Sequence, residues 1–232
     1  MKICVMPDIH GREFWKLPSY DEYDKIIFLG DYLDPYENIP FEKLKENLNE
    51  IIKFKLKNFK KVILLIGNHD WHYIGGIEST RKDYRNSGIY YNIFKEHLNL
   101  FNLCWVENNY IFTHAGITEE WKNECITKLN LPDSGILNFA KYLQYFSLNN
   151  YNVLSMLNYV SRYFRGGRDK FGSCLWADIN EHIEYNSGTP LEYNDCIQIF
   201  GHTRVKKDII TDTWSCIDTA KPYIIDDSEH SI

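Results

Sequence analysis

The chain has 232 residues, 44% of them hydrophobic and 25% charged, so it can bury a core of ordinary size for a soluble globular protein. Its net charge of −6 argues against a chain built mainly to hold DNA or RNA through phosphate contacts, and no apolar stretch is long enough to span a bilayer. None of the six cysteines is spaced C-x-x-C, which removes zinc knuckles and thioredoxin-like pairs, and the few apolar residues before Pro7, Asp8 and His10 are too short for a secretion signal, so the expectation is a cytoplasmic protein with reduced thiols.

Taken in chain order, short apolar runs alternate with helical patterns. KICVM runs into PDIHG, and KIIFLG runs into DYLDPY. From Phe41, residues Leu44, Leu48, Ile51 and Ile52 recur at three- and four-residue steps with Glu and Lys between them, an amphipathic helix whose first turn suits Pro40. VILLI (Val62 to Ile66) runs into GNHD, and Tyr90, Ile93, Phe94 and Leu98 repeat the helical spacing. Leu103 to Val106 and Tyr110 to Thr113 read as a hairpin around Glu107-Asn108-Asn109, with YIFT running into HAG. A long helix is expected over about Leu137 to Phe164. CIQIFG then runs into HTR, and two tail strands are expected around Cys216 to Ile217 and Tyr223 to Ile225. Without internal repeat, low-complexity tract or linker, residues 1–232 read as a single domain.

The runs are four to six residues long and rich in Ile, Val or Phe, as buried strands are, and each ends in polar residues. Loops at strand C-terminal ends are where open sheets carry ligands. Collected, these residues are Asp8, His10, Asp31, Asp34, Asn68, His69, His114 and His202. Taken singly each has a plain structural reading. His10 or His202 could be a hydrogen-bonded histidine, Asp31 and Asp34 could form a turn around Pro35, and Asn68 could support a left-handed turn. Together, carboxylate, imidazole and amide oxygen make a ligand set for a pair of divalent metals. A carboxylate reaches two cations best, and Asp31 is the natural bridge.

The run DIHG (Asp8 to Gly11), GDYLD (Gly30 to Asp34), GNHD (Gly67 to Asp70), THAG (Thr113 to Gly116) and GHT (Gly201 to Thr203) resembles, in content and order, the calcineurin-like metallophosphoesterase superfamily. The resemblance is nearest to its serine/threonine phosphoprotein phosphatase branch and that branch's bacterial and phage relatives, with LWAD (Leu175 to Asp178) and CIDT (Cys216 to Thr219) similar to further motifs there. It implies an α+β fold, the αββα four-layer sandwich of two mixed β-sheets flanked by helices. Asp8 and His10 would hold one metal, Asp31 would bridge, and Asn68, His114 and His202 would hold the second. A metal-bridging hydroxide would attack phosphorus. His69 would protonate the leaving oxygen, and Asp34 would keep that imidazole protonated. The metals would be two divalent ions, manganese first, with iron, zinc or nickel also compatible.

One position departs from the pattern. The phosphatase branch carries GDYVDRG, whose arginine clamps phosphate, whereas here Pro35 follows Asp34. A guanidinium pairs two phosphate oxygens and proline cannot. Replacements are sought in RGGRD, where Arg165 and Arg168 flank two glycines, against the alternative that this run caps a helix. Arg12 and Arg204 are weaker candidates. The aromatic, mixed-charge segment 71–101 reads as a helix packed on the sheet or as a rim that selects substrate, with His72 outside the site. The activity expected is hydrolysis of a phosphomonoester, a phosphoprotein included. The rivals are a dinucleotide polyphosphate hydrolase of the symmetrical bis(nucleosyl)-tetraphosphatase kind and a metal-bound scaffold without catalysis. The expected partner is a phosphorylated substrate, not nucleic acid or membrane.

Overall fold

Strands β1 (Lys2–Met6), β2 (Lys25–Phe28) and β3 (Val62–Leu65) are the three apolar runs that open the chain, and every residue in them except Lys2 and Lys25 is buried. Runs of Ile, Val and Leu without polar alternation suit parallel strands covered on both faces. The computed structural model describes residues 1–145, 148, 151–186 and 196–227. The chain divides into two compact units, Met1–Phe101 with Ala220–Ile232, and Asn102–Thr219.

In the first unit β1, β2 and β3 pair in parallel, with Met6 opposite Phe28 and Phe28 opposite Leu64. Parallel neighbours need a crossover, and α1 (Phe41–Lys57) supplies the one between β2 and β3. The sheet runs β10-β1-β2-β3-β4, where β10 (Tyr223–Asp226) is antiparallel to β1 and β4 (Phe101–Asn102) closes the far side. Helix α1 forms where its spacing predicts, with Pro40 as the residue just before the first turn, and it buries Leu44, Leu48, Ile51 and Ile52. Each such side chain removed from water contributes about 1.5–3 kcal/mol. The same face buries Lys55, whose Nζ donates to Phe59 O (2.8 Å) and Val62 O (2.7 Å), closing the turn that leads into β3. A single turn, α2 (Asn68–Trp71), and helix α3 (Ser87–His97), which buries Tyr90 and Phe94, complete this unit.

In the second unit the expected hairpin is present. β5 (Cys104–Glu107) pairs antiparallel with β6 (Tyr110–Thr113), and Asn108 takes the left-handed turn conformation at φ 55°. β7 (Ile197–Phe200) is parallel to β6, β9 (Trp214–Cys216) is parallel to β7, and β8 (Ile209–Ile210) is antiparallel to β9, giving the order β5-β6-β7-β9-β8. Its helices are α4 (Glu119–Leu129), α5 (Ile136–Gln144), α6 (Tyr151–Leu157) and α7 (Ile179–Asn186). Ile179, Phe200, Trp214 and Cys216 form one buried cluster, with Val205 against it.

The fold is therefore α+β with two mixed sheets and flanking helices, as expected. The single long helix over about 137–164 is a correction. Helix α5 ends at Gln144 and α6 at Leu157. Beyond Leu157 the backbone pairs elsewhere, with Asp169 N donating to Val160 O (3.0 Å) and Ser173 N to Tyr159 O (3.0 Å). Those cross-loop bonds take the carbonyls that a continuing helix would use. All six cysteines are buried thiols, and none of the described helices is long and apolar enough to cross a membrane.

Candidate metal and phosphate site

The aligned ends of β1, β2 and β3 determine where the first unit's polar residues emerge, since Asp8, Asp31 and Asn68 follow within four residues of Met6, Phe28 and Leu64. Backbone bonds lace the first two loops together: His10 N to Asp31 O (2.6 Å) and Gly11 N to Tyr32 O (2.9 Å). The second and third loops are joined by Asp70, which is fully buried. Its Oδ2 accepts from Asp31 N (2.7 Å) and Gly67 N (2.9 Å), and its Oδ1 accepts from Tyr32 N (2.8 Å). Burial nonetheless pushes the Asp70 carboxyl above its ordinary range. The sequence reading gave Asp70 no role. The signal was present, because an acidic residue closes the GNHD run directly after Asn68 and His69. Gly67 must be glycine, since a Cβ would fall on the Asp31 carboxylate.

Asp8, His10 and Asp31 converge, each nearly inaccessible to water, with one ligand atom apiece inside a 4.8 Å group. His10 Nδ1 is 2.8 Å from Leu33 O, so that nitrogen carries the hydrogen and Nε2 presents its lone pair. That lone pair lies 3.5 Å from Asp31 Oδ2 and 3.9 Å from Asp8 Oδ2. Burial keeps the imidazole neutral, with its pKa down to about 3, so these contacts are not ion pairs. Burial first, then Asp8 and Asp70, push Asp31 well above the ordinary carboxylate range. Three converging electron-pair donors repel one another unless a cation lies among them. Oxygen and imidazole nitrogen together suit a divalent ion, so the residues present fit the metal that the sequence implies.

Asp34, His69 and His72 are as close to one another as those three, but hydrogens fill the spaces between them. Asp34 Oδ2 faces His69 Nδ1 at 2.9 Å, and Asp34 Oδ1 accepts from the Tyr73 hydroxyl at 2.5 Å. Ser79 N donates to His72 Nδ1 (3.3 Å), so the His72 hydrogen is on Nε2, 2.9 Å from Asp34 Oδ2 but off the hydrogen-bond direction. His72 thus belongs to the Asp34 network, contrary to the sequence reading; its spacing from His69 gave no hint because the turn of α2 folds it back. Burial alone would raise Asp34, but the hydrogen bonds from His69 and Tyr73, with the His72 ring close beside, outweigh it and hold the carboxyl below its usual range. For His69 the balance differs. Burial pulls the imidazole down and outweighs the upward pull of Asp34 on which the sequence reading relied.

Backbone conformation marks the same residues. Among the described residues, the non-glycine positions with left-handed φ include His10 (45°), Asp31 (53°), Asp34 (54°), Arg81 (64°) and His202 (63°). Asp, Asn and His tolerate that region better than most, and such strain concentrates at functional sites.

In the second unit the parallel register of β6 and β7 brings out the remaining histidines together. His114 Nε2 is 3.2 Å from His202 Nδ1, and Gly201 N donates to His114 O (2.8 Å). His114 is fully buried and His202 partly so. The RGGRD run does not cap a helix, because α6 has already ended at Leu157. Arg165 is engaged within this unit: Nε is 2.9 Å from Asp178 Oδ2, without hydrogen-bond alignment, and Nη2 donates to Thr203 Oγ1 at 2.5 Å. Arg168 is exposed. Arg12, in the first unit, is turned onto its own loop, with Nε and Nη2 donating to Ile9 O and Asp8 O at 3.1 Å each.

The family model for calcineurin-like phosphoesterases matches residues 1–206. The chain belongs to that family. The structure of this calcineurin-like phosphoesterase is similar to the cold-active protein-tyrosine phosphatase of a psychrophilic Shewanella species, with a TM-score of 0.58 and 18% identity over 94% of this chain and 71% of that one. It is also similar to a protein serine/threonine phosphatase from Saccharomyces cerevisiae that resembles human phosphatase PP5, with a TM-score of 0.51 and 16% identity over 93% of this chain and 66% of that one. At such identities these likenesses speak for the fold. Among curated proteins no sequence matches the calcineurin-like phosphoesterase.

Proposed function

We propose that this calcineurin-like phosphoesterase hydrolyses a phosphomonoester, a phosphoprotein being the first class to try, with two divalent ions held by Asp8, His10, Asp31, Asn68, His114 and His202. Manganese is the first choice of ion. The observation that carries this reading is the convergence of Asp8, His10 and Asp31 as buried donors, with the His10 ring 5.1 Å from that of His69. Divalent cations held there supply Lewis-acid charge and lower the pKa of water. The chain's own residues do the rest. Asp34, ionised and fixed by Tyr73, accepts from His69 Nδ1 and opposes the downward pull of burial on that imidazole, which the dianion of a bound phosphate would further offset. His69 Nε2 then carries the proton given to the leaving oxygen. Six buried cysteines, none of them in a disulfide, fit a reducing, cytoplasmic setting.

The test is phosphate release from 4-nitrophenyl phosphate and from a phosphopeptide, with manganese and with a chelator. His69→Ala is expected to lower kcat by about 10²–10⁴-fold on an alkyl phosphate and by less on the nitrophenyl ester, whose leaving group needs little help. Absence of metal-stimulated hydrolysis of every phosphomonoester tried would overturn the reading. Faster turnover of diadenosine tetraphosphate would move it to polyphosphates.

A further inference from the structure

The loop that lacks the family's arginine carries a seat for another one. Arg81 lies in the stretch between α2 and α3, and its guanidinium lies over the Tyr36 ring, with its central carbon 3.7 Å from the ring centroid. Its Nε donates to Asp34 O (3.2 Å), and its Nη2 reaches to 3.4 Å from His69 Nε2. Both supports, Asp34 O and the Tyr36 ring, come from the DPY run in which Pro35 replaces arginine. A guanidinium on an aromatic face that also donates from Nε has its remaining N–H groups held in one plane.

Three features, taken together, mark this cation. First, its charge is not neutralised, since no carboxylate is within ion-pair reach of Arg81 among the described residues. Arg165, in contrast, faces Asp178. Second, the atom it approaches, His69 Nε2, is the one assigned to meet the leaving oxygen, so an anion placed there would meet the guanidinium as well. Third, Arg81 holds a left-handed φ of 64°, a conformation costing about 1 kcal/mol or more that persists only where contacts impose it.

We propose that Arg81, shelved on Tyr36, is the guanidinium that grips the substrate's phosphate, in place of the arginine missing at position 35. The inference rests on the phosphoesterase reading and adds the phosphate-binding group to it. The ligand class is a phosphomonoester dianion, two of whose oxygens accept from the guanidinium edge. Pro35 and Arg81 are then two halves of one change. Proline removes the local clamp, and the ring and carbonyl on either side of it orient a clamp delivered from 46 residues further along the chain (81 minus 35).

The experiment uses the full chain loaded with manganese. Two quantities are read for wild type, Arg81→Ala, Arg81→Lys and Tyr36→Leu: kcat/KM on 4-nitrophenyl phosphate, and binding of inorganic phosphate by competition and by calorimetry. Arg81→Ala is expected to weaken both by about 10- to 100-fold, the range for one lost charge-assisted pair. Arg81→Lys should recover only part, because an ammonium cannot make the two-pronged contact. Tyr36→Leu should fall between Arg81→Ala and wild type, and added guanidinium ion should partly restore Arg81→Ala, which a merely structural role would not allow. If wild type hydrolyses phosphate esters and Arg81→Ala matches it in both readouts, the inference fails while the parent reading stands. If wild type neither hydrolyses phosphate esters nor binds phosphate, both fall. Should Arg81→Ala melt early, Arg81→Lys decides: full retention of phosphate affinity and activity would overturn the assignment.

Discussion

Replacing Asp70 by alanine should unfasten two loops at once. Its carboxylate accepts from the backbone N–H groups of Asp31, Tyr32 and Gly67, all buried, at 2.7–2.9 Å. A buried donor left without its acceptor costs about 1–3 kcal/mol. Three such groups would cost roughly 3–9 kcal/mol, and water entering the vacated space brings the expected loss to about 3–6 kcal/mol. That is a large part of the 5–15 kcal/mol that typically separates folded from unfolded chains. Asp70→Asn keeps one acceptor oxygen but turns an N–H₂ toward another N–H, so about half the loss is expected. Urea unfolding followed by tryptophan fluorescence measures both variants against wild type, and manganese-dependent turnover reports whether Asp31 has moved. A loss under about 1 kcal/mol for Asp70→Ala, with turnover intact, would show that these bonds do not tie the loops and would refute the reasoning.

Four other outcomes follow from the structure. Manganese should raise the melting temperature of wild type, and a chelator should lower it again. Asp8→Asn removes one of the converging negative charges, so it should melt higher than wild type without metal and gain less from manganese, a reversal that scanning calorimetry would reveal. His182, fully buried with Nε2 3.0 Å from Ala115 O, is held at a pKa of about 4 by burial, against about 6.5 in the unfolded chain. Between those values the unfolded chain binds more protons, so stability falls as pH drops from 6.5 toward 4, by up to about 3 kcal/mol; His182→Gln should flatten the urea midpoint across that window. Lys55→Met should cost about 2–3 kcal/mol by leaving Phe59 O and Val62 O without their donor, and an unchanged urea midpoint would contradict it.

Much of this was legible in the chain, for identifiable reasons. The strand runs are buried on both faces, so they appear as unbroken apolar words. The polar words follow because parallel strands end together. Helix α1 was legible from one apolar stripe. What escaped depends on contacts between distant positions. The spacing of Leu137 to Phe164 could not show that the Tyr159 and Val160 carbonyls would be taken by Ser173 and Asp169. His72 looked peripheral because nothing local shows that Ser79 fixes its tautomer and Asp34 faces its other nitrogen. Arg81 was hidden among charges of segment 71–101, since its distinction lies in Tyr36 and Asp34, far back in sequence. RGGRD stands out in a string of letters for its two glycines, whereas a ring that can support a cation does not.

The left-handed backbone at His10, Asp31 and Asp34 carries a consequence for how such a chain can change over generations. Only small polar residues and glycine rest easily at those angles, so most replacements there would lose folding and chemistry in the same step. Glycine is the exception, because it relieves the torsion while deleting the functional group. A lineage released from the need to turn over substrate could shed that torsion only by also giving up buried acceptors such as the Asp34 carboxylate, on which Tyr73 and His69 rest, so relief at the backbone is offset by donors left stranded.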